Sequence, residues 1–140
     1  MLMAGVVHDY GHPGNNNMYI SKSRHPIALR YNDTAVLEMH HVASAFRVLH
    51  SDDQFNFLID TSDSMYQRIR EIMLSCVLAT DMASHFSELN HFKSRIQAGD
   101  FLKHADDTKL PTKEDQLLAC SIALHACDIS NPAKGLLGCK

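Results

Sequence analysis

Apolar residues in this chain recur three and four positions apart, and no stretch alternates apolar with polar residues over the length of a strand. Only a helix, at about 3.6 residues per turn, returns such positions to one face. Between Ala35 and Leu49 the step is kept by Val36, Met39, Ala43 and Phe46, with Glu38 and His41 three apart on a neighbouring stripe. Ser64 and Gln67 have the spacing of a capping box, and Ile69, Ile72, Met73, Cys76 and Leu78 extend an apolar face beyond them. A long helix is predicted from that point, continuing through Asp81 to Ile96 with a bend and ending at Gly99. Thr112 with Asp115 marks another start, and Leu117, Leu118, Ser121, Leu124 and His125 carry a face to Asp128 before Pro132 stops it. Near the start, Met1 to Val7 is a short apolar helix that must end near His8, because Gly11, Pro13 and Gly14 follow. Asn15 to Asn17 form a loop, Pro26 a break, and Lys103 to Pro111 a polar connection. The expected fold is all-α, a helical bundle.

A chain of 140 residues, 45% hydrophobic, can build one core without a metal or disulfides to hold it together. A metal ion here would therefore suggest chemistry. The formal charge of -3, with Lys and Arg scattered, argues against nucleic acid as a partner, which needs clustered positive charge. Cys76, Cys120, Cys127 and Cys139 contain no C-x-x-C pair and fit buried, unpaired thiols in an intracellular, cytoplasmic setting. The apolar run at Met1 to Val7 is too short for a membrane segment.

Ten histidines are the departure from average. A His-Asp pair alone is expected roughly once by chance in such a chain, but His8-Asp9 followed by His12-Pro13-Gly14 and Asn17 is far rarer. Adjacent residues on a helix point in different directions, so two ligands in a row serve best at a helix end, which Gly11 and Pro13 supply. Imidazole suits zinc, and a carboxylate can bridge zinc to a harder ion such as magnesium. A capping aspartate beside a packed histidine is the competing reading of the same pair.

Four blocks in order resemble the class I cyclic nucleotide phosphodiesterases: His8-Asp9-Tyr10-Gly11-His12-Pro13-Gly14; Tyr31-Asn32-Asp33 with Val36-Leu37-Glu38-Met39-His40-His41; Leu78-Ala79-Thr80-Asp81-Met82; and His125-Ala126-Cys127-Asp128-Ile129-Ser130-Asn131-Pro132. The resemblance implies an all-helical domain that hydrolyses the 3′ phosphoester of cyclic AMP or cyclic GMP, with Zn2+ and Mg2+ as cofactors and Mn2+ as an alternative at the second site. It makes His8, Asp9 and Asp128 zinc ligands, with Asp9 also on the second metal. His12, Glu38 and Thr80 would hold that metal's water shell, Asn131 would line the base pocket, and Met82 would form part of its wall. His40 and His41 diverge as helix neighbours, so at most one faces the site and neither is assigned as a ligand; His125 is open to a supporting or a packing role. The remaining histidines, His25, His50, His85, His91 and His104, fall outside the matched positions.

The resemblance also implies that residues 1–140 are a single partial domain truncated at both ends. The family's upstream His-Asn-x-x-His block, which brings a zinc ligand and the histidine that protonates the leaving oxygen, is absent, as are the purine-gripping glutamine and stacking phenylalanine downstream. Negligible turnover by this chain alone is expected, since acid catalysis commonly supplies ~10²–10⁴-fold. The alternatives are a His-Asp metal phosphohydrolase acting on another phosphate ester, and a non-catalytic helical fragment.

Overall fold

The computed structural model describes residues 1–99, 101 and 111–133. Seven α-helices account for most of them: α1 (Leu2–Val7), α2 (Asn17–Lys22), α3 (Pro26–Tyr31), α4 (Val36–Leu49), α5 (Asp63–Leu78), α6 (His85–Gln97) and α7 (Lys113–Asp128), with short 3₁₀ turns at Asp53–Phe55 and Asn131–Ala133. There is no strand among the described residues. Of the predicted polar connection, positions 103–110 lie outside them.

Two of the long helices, α5 and α7, begin where capping side chains replace missing helical acceptors. Thr112 accepts from the Asp115 N–H at 3.1 Å, as its spacing predicted. For α5 the cap is Ser62 rather than Ser64, its hydroxyl accepting from Met65 N–H at 3.3 Å. The predicted continuous helix through Asp81 is also corrected. α5 ends at Leu78, and the chain turns before α6: the Asp81 carboxylate accepts the Ala83 N–H at 3.0 Å and the Ser84 hydroxyl donates to the Asp81 carbonyl at 2.9 Å. Pro26 starts α3 rather than merely interrupting the chain, and Asn16 caps α2 by accepting Tyr19 N–H at 2.9 Å.

Helix α5 is the centre of the packing, against α7, α4 and α1. Ala4, Val42, Phe46, Leu49, Leu58, Met73, Cys76, Val77 and Leu124 form one core, and the Ser75 and Ser121 hydroxyls join α5 to α7 at 2.8 Å. Burying a residue such as Val77 or Phe46 stabilises the fold by roughly 1.5–3 kcal/mol before entropy is counted. Burial raises the Cys76 thiol to about 11, so it stays protonated at neutral pH. A second core of Ile20, Ile27, Ala28, Val36 and Leu37 fastens α2 and α3 to the start of α4. Helix α6 buries no residue and is tied to α7 by polar links: His85 Nδ1 to His125 Nε2 at 2.7 Å, and Arg95 to the buried Asp115 carboxylate through two bonds of 3.1 Å.

This packing converges on one place. A methyl at Gly5 of α1 would sit 3.5 Å from Leu124 Cδ1 of α7, an ordinary contact, so the end of α1 and the last turn of α7 lie together. No helix among the described residues is long and apolar enough to cross a membrane.

Candidate metal centre

Just after α1 stops, Gly11 at φ +71° and Gly14 at φ +80° turn the chain through left-handed conformations that glycine adopts without strain. His8 Nε2 lies 3.4 Å from Asp9 Oδ2 and 3.3 Å from Asp128 Oδ1, so the three predicted zinc ligands meet although they are separated by most of the chain. The other ring nitrogen, Nδ1, is 2.7 Å from the Gly5 carbonyl oxygen. A carbonyl only accepts, so Nδ1 carries the proton and the neutral ring presents a bare lone pair at Nε2. That lone pair faces two carboxylate oxygens. A proton or a cation at Nε2 would give both carboxylates a partner.

The two spacings are compatible with a cation. At 3.3 and 3.4 Å the contacts are longer than good hydrogen bonds. Ligands about 2.0–2.1 Å from a tetrahedral zinc ion stand roughly 3.3 Å apart. The donor set, one imidazole fixed by a carbonyl and two carboxylates, fits zinc in type and in tautomer.

A second cluster shares Asp9. Ligand atoms of Asp9, His12 and His41 all lie within 4.8 Å of one another. His41 is 2% exposed and bonds the Tyr10 carbonyl through Nδ1 at 2.8 Å, which leaves its Nε2 as an acceptor. His12 has the opposite tautomer, because its Nδ1 accepts the Gly14 N–H at 3.0 Å and its Nε2 must then carry the proton in the neutral ring. His12 therefore offers the cluster a donor rather than a lone pair, the property needed to hold a metal's water rather than the metal. The rings of His12 and His41 stack with centroids 5.5 Å apart.

Glu38 stands three residues before His41 on α4, and Asn17 Nδ2 donates to its Oε2 at 2.9 Å. Thr80 bonds back to the Val77 carbonyl at 2.7 Å and Met82 is 60% exposed. No hydrogen bond among the described residues joins either to the cluster. Asn131 opens the last 3₁₀ turn, and its side chain lies outside the described part of the structure. The sequence reading left His41 unassigned and gave Asn17 no role. For His41 a signal existed, the three-residue step from Glu38; for Asn17, whose partner is 21 residues away, the local pattern offered none.

Burial pulls the His41 imidazole below its ordinary value of 6.5, against the opposing Tyr10 carbonyl, and burial followed by the neighbouring His41 does the same to His40. Protonation of these rings is thus penalised only in the folded chain. As pH falls through 6.5 the unfolded chain takes up the extra protons, so stability is lost until the lower folded values are passed. The metal-free chain should show a lower urea midpoint at pH 5 than at pH 7.5, with a flatter profile in His41→Gln. A midpoint that rises on acidification would contradict this account.

The comparisons with known proteins identify the family. The family model for 3′5′-cyclic nucleotide phosphodiesterases matches residues 1–140. A Caenorhabditis elegans protein named "Probable 3′,5′-cyclic phosphodiesterase pde-1" is 37% identical over 134 residues, covering 96% of this chain and 18% of that protein. The human dual specificity calcium/calmodulin-dependent 3′,5′-cyclic nucleotide phosphodiesterase 1C is 34% identical over 96% of this chain and 17% of its own length. Among solved structures, the phosphodiesterase domain of the RhoPDE fusion protein from the choanoflagellate Salpingoeca rosetta superposes with a TM-score of 0.86 at 30% identity, covering 99% of this chain and 43% of that one. The chain thus spans about a fifth of the length of these curated relatives and, with its ordered motifs and all-helical fold, belongs to the 3′,5′-cyclic nucleotide phosphodiesterase family.

Proposed function

We propose that the protein carrying this chain hydrolyses the 3′ phosphoester of cyclic AMP, cyclic GMP or both to the 5′-nucleoside monophosphate, using zinc held by His8, Asp9 and Asp128 and magnesium or manganese held beside Asp9. The observation that carries this reading is the bare Nε2 lone pair of His8 facing two carboxylate oxygens at 3.3 and 3.4 Å. Bound cations offset the charge of a phosphodiester anion and lower the pKa of water toward neutrality.

The chain's own residues set the rest. The Gly5 carbonyl fixes the His8 ring and its tautomer, and the Tyr10 carbonyl does the same for His41. His12, with Nε2 protonated, donates toward water or a phosphate oxygen, while Glu38 and His41 accept from the same water network. Thr80 joins that network on exchanging its bond to Val77, and Asn131 and Met82 contribute to the base pocket, where a side-chain amide offers both donor and acceptor. The human relative named as dual specificity supports both nucleotides as substrates. For the isolated 140-residue chain, which covers 43% of the solved domain it resembles, negligible turnover accompanies zinc binding.

Chelation of the full-length protein decides the matter. Hydrolysis of cyclic AMP or cyclic GMP should fall by at least ~10³-fold, equivalent to about 4 kcal/mol, and return on adding Zn2+ with Mg2+. Metal-dependent hydrolysis of deoxynucleotides with none of the cyclic ones would replace this reading by the broader phosphohydrolase one, and activity untouched by chelation would remove the metal from it.

A further inference from the structure

We propose that Asn17 is a positioning residue: it supplies the missing cap of α4 and, with the other end of the same amide, fixes the Glu38 carboxylate at the second metal cluster. The inference rests on the metal reading above for its functional part, and on hydrogen bonds for the rest.

Helix α4 begins without a capping side chain. The residue in that position is Ala35, held at φ +39°, and an alanine methyl accepts nothing. The first N–H groups of a helix have no partner within it, so one must come from elsewhere. It comes from Asn17, 20 residues earlier, whose Oδ1 accepts the Leu37 N–H at 2.9 Å. This bond fixes which way the amide points. A backbone N–H only donates, so the oxygen must face Leu37 and the nitrogen must face the other way. There Nδ2 finds Glu38 Oε2 at 2.9 Å. The amide orientation is thus a consequence of the helix start, and Glu38 receives a donor on one oxygen.

Asn17 is itself held in place. It opens α2, whose Ile20 is buried with Val36 and Leu37 in the second core, so α2 and the first turn of α4 are one packed unit. Glu38 lies in that first turn, one helical step from His41, and its charge acts on the His41 imidazole of the Asp9 cluster. Pinning one carboxylate oxygen aims the other and removes rotamer freedom that would otherwise be lost when a cation's water is bound. Outer hydrogen-bond partners of this kind commonly change metal affinity 10–100-fold.

The test uses the 140-residue chain loaded with one equivalent of Zn2+ and titrated with Mn2+, followed by electron paramagnetic resonance. Asn17→Ala and Glu38→Ala should each weaken Mn2+ about tenfold. The double variant should be no weaker than the singles, because both remove the same aimed oxygen, and Zn2+ affinity should stay within about twofold. A second readout needs neither metal nor an altered Asn17. In the metal-free chain the Asn17 side-chain amide should exchange with solvent about tenfold faster in Glu38→Ala than in the wild type. Wild-type Mn2+ affinity in Asn17→Ala, strictly additive losses in the double variant, or an Asn17 amide indifferent to Glu38→Ala would each overturn the proposal. A wild-type chain that takes up no Mn2+ while the amide still responds to Glu38→Ala would refute the second-cation reading and Asn17's part in it, leaving only a structural bridge.

Discussion

Asp9→Ala is expected to remove both cations from the full-length protein and to lower kcat/KM for cyclic nucleotides by at least ~10³-fold, while leaving the melting temperature of the metal-free protein almost unchanged. Asp9 is the residue the two clusters share: its Oδ2 is 3.4 Å from His8 Nε2, and it groups with His12 and His41 on the other side. Its side chain is 67% exposed and sits in the turn after α1, so no core contact depends on it. Substitutions in such places usually stay within about 0.5 kcal/mol, and separating two carboxylates from one imidazole lone pair can only relieve repulsion in the metal-free state. A large loss of activity with no loss of metal-free stability would therefore report on metal alone. Asp128→Ala, by contrast, disturbs the zinc cluster and spares the Asp9–His12–His41 group, so it should reduce zinc content first. Metal analysis of the purified variants beside steady-state assays separates the two. An Asp9→Ala protein within tenfold of wild-type activity would contradict the role of this carboxylate as the common ligand.

The convergence of His8, Asp9 and Asp128 was legible in the sequence because motif order carried it; the reasons for their orientation were not. Nothing in the spacing says that Gly5 and Tyr10 lend carbonyls to His8 and His41, since each bond depends on where a helix stops or crosses another. The helical period gave α4 and α7 closely, but it put Met39 and Ala43 of α4 on the core face, where the structure buries Leu37, His41, Val42, Phe46 and Leu49. A buried histidine blurs an apolar stripe, and the stripe rotates to the residues that remain apolar. Helices α2 and α3 were not predicted, with only a loop at Asn15 to Asn17 and a break at Pro26 read there, because six residues cannot sustain a helix alone. They exist through burial of Ile20, Ile27 and Ala28, a tertiary effect that local propensity does not contain. The break between α5 and α6 is different. Asp81 and Ser84 are turn-forming residues in plain view, and the apolar face of α5 concealed them.

Because the proposed ligands come from opposite ends of the chain, the site depends on α5, which packs against both α1 and α7. Val77, 0% exposed and in the same core as Ala4 and Leu124, is the sharpest place to test that dependence. Val77→Ala removes buried methyl groups and should cost about 1–3 kcal/mol, visible as a lower urea midpoint with zinc binding retained. Val77→Asp puts a carboxylate among apolar side chains with no partner; unpaired burial of that kind costs several kcal/mol, comparable to the 5–15 kcal/mol by which a domain of this kind is stable. The variant should lose its cooperative unfolding transition at 25 °C and with it the high-affinity zinc site, although every proposed ligand is still present. Zinc should partly restore the Val77→Ala midpoint, because a cation bound only by the folded chain shifts the equilibrium toward it. A Val77→Asp chain that still binds zinc tightly would mean that His8, Asp9 and Asp128 find one another without the packing of α5, and the link from core to metal centre drawn here would be wrong.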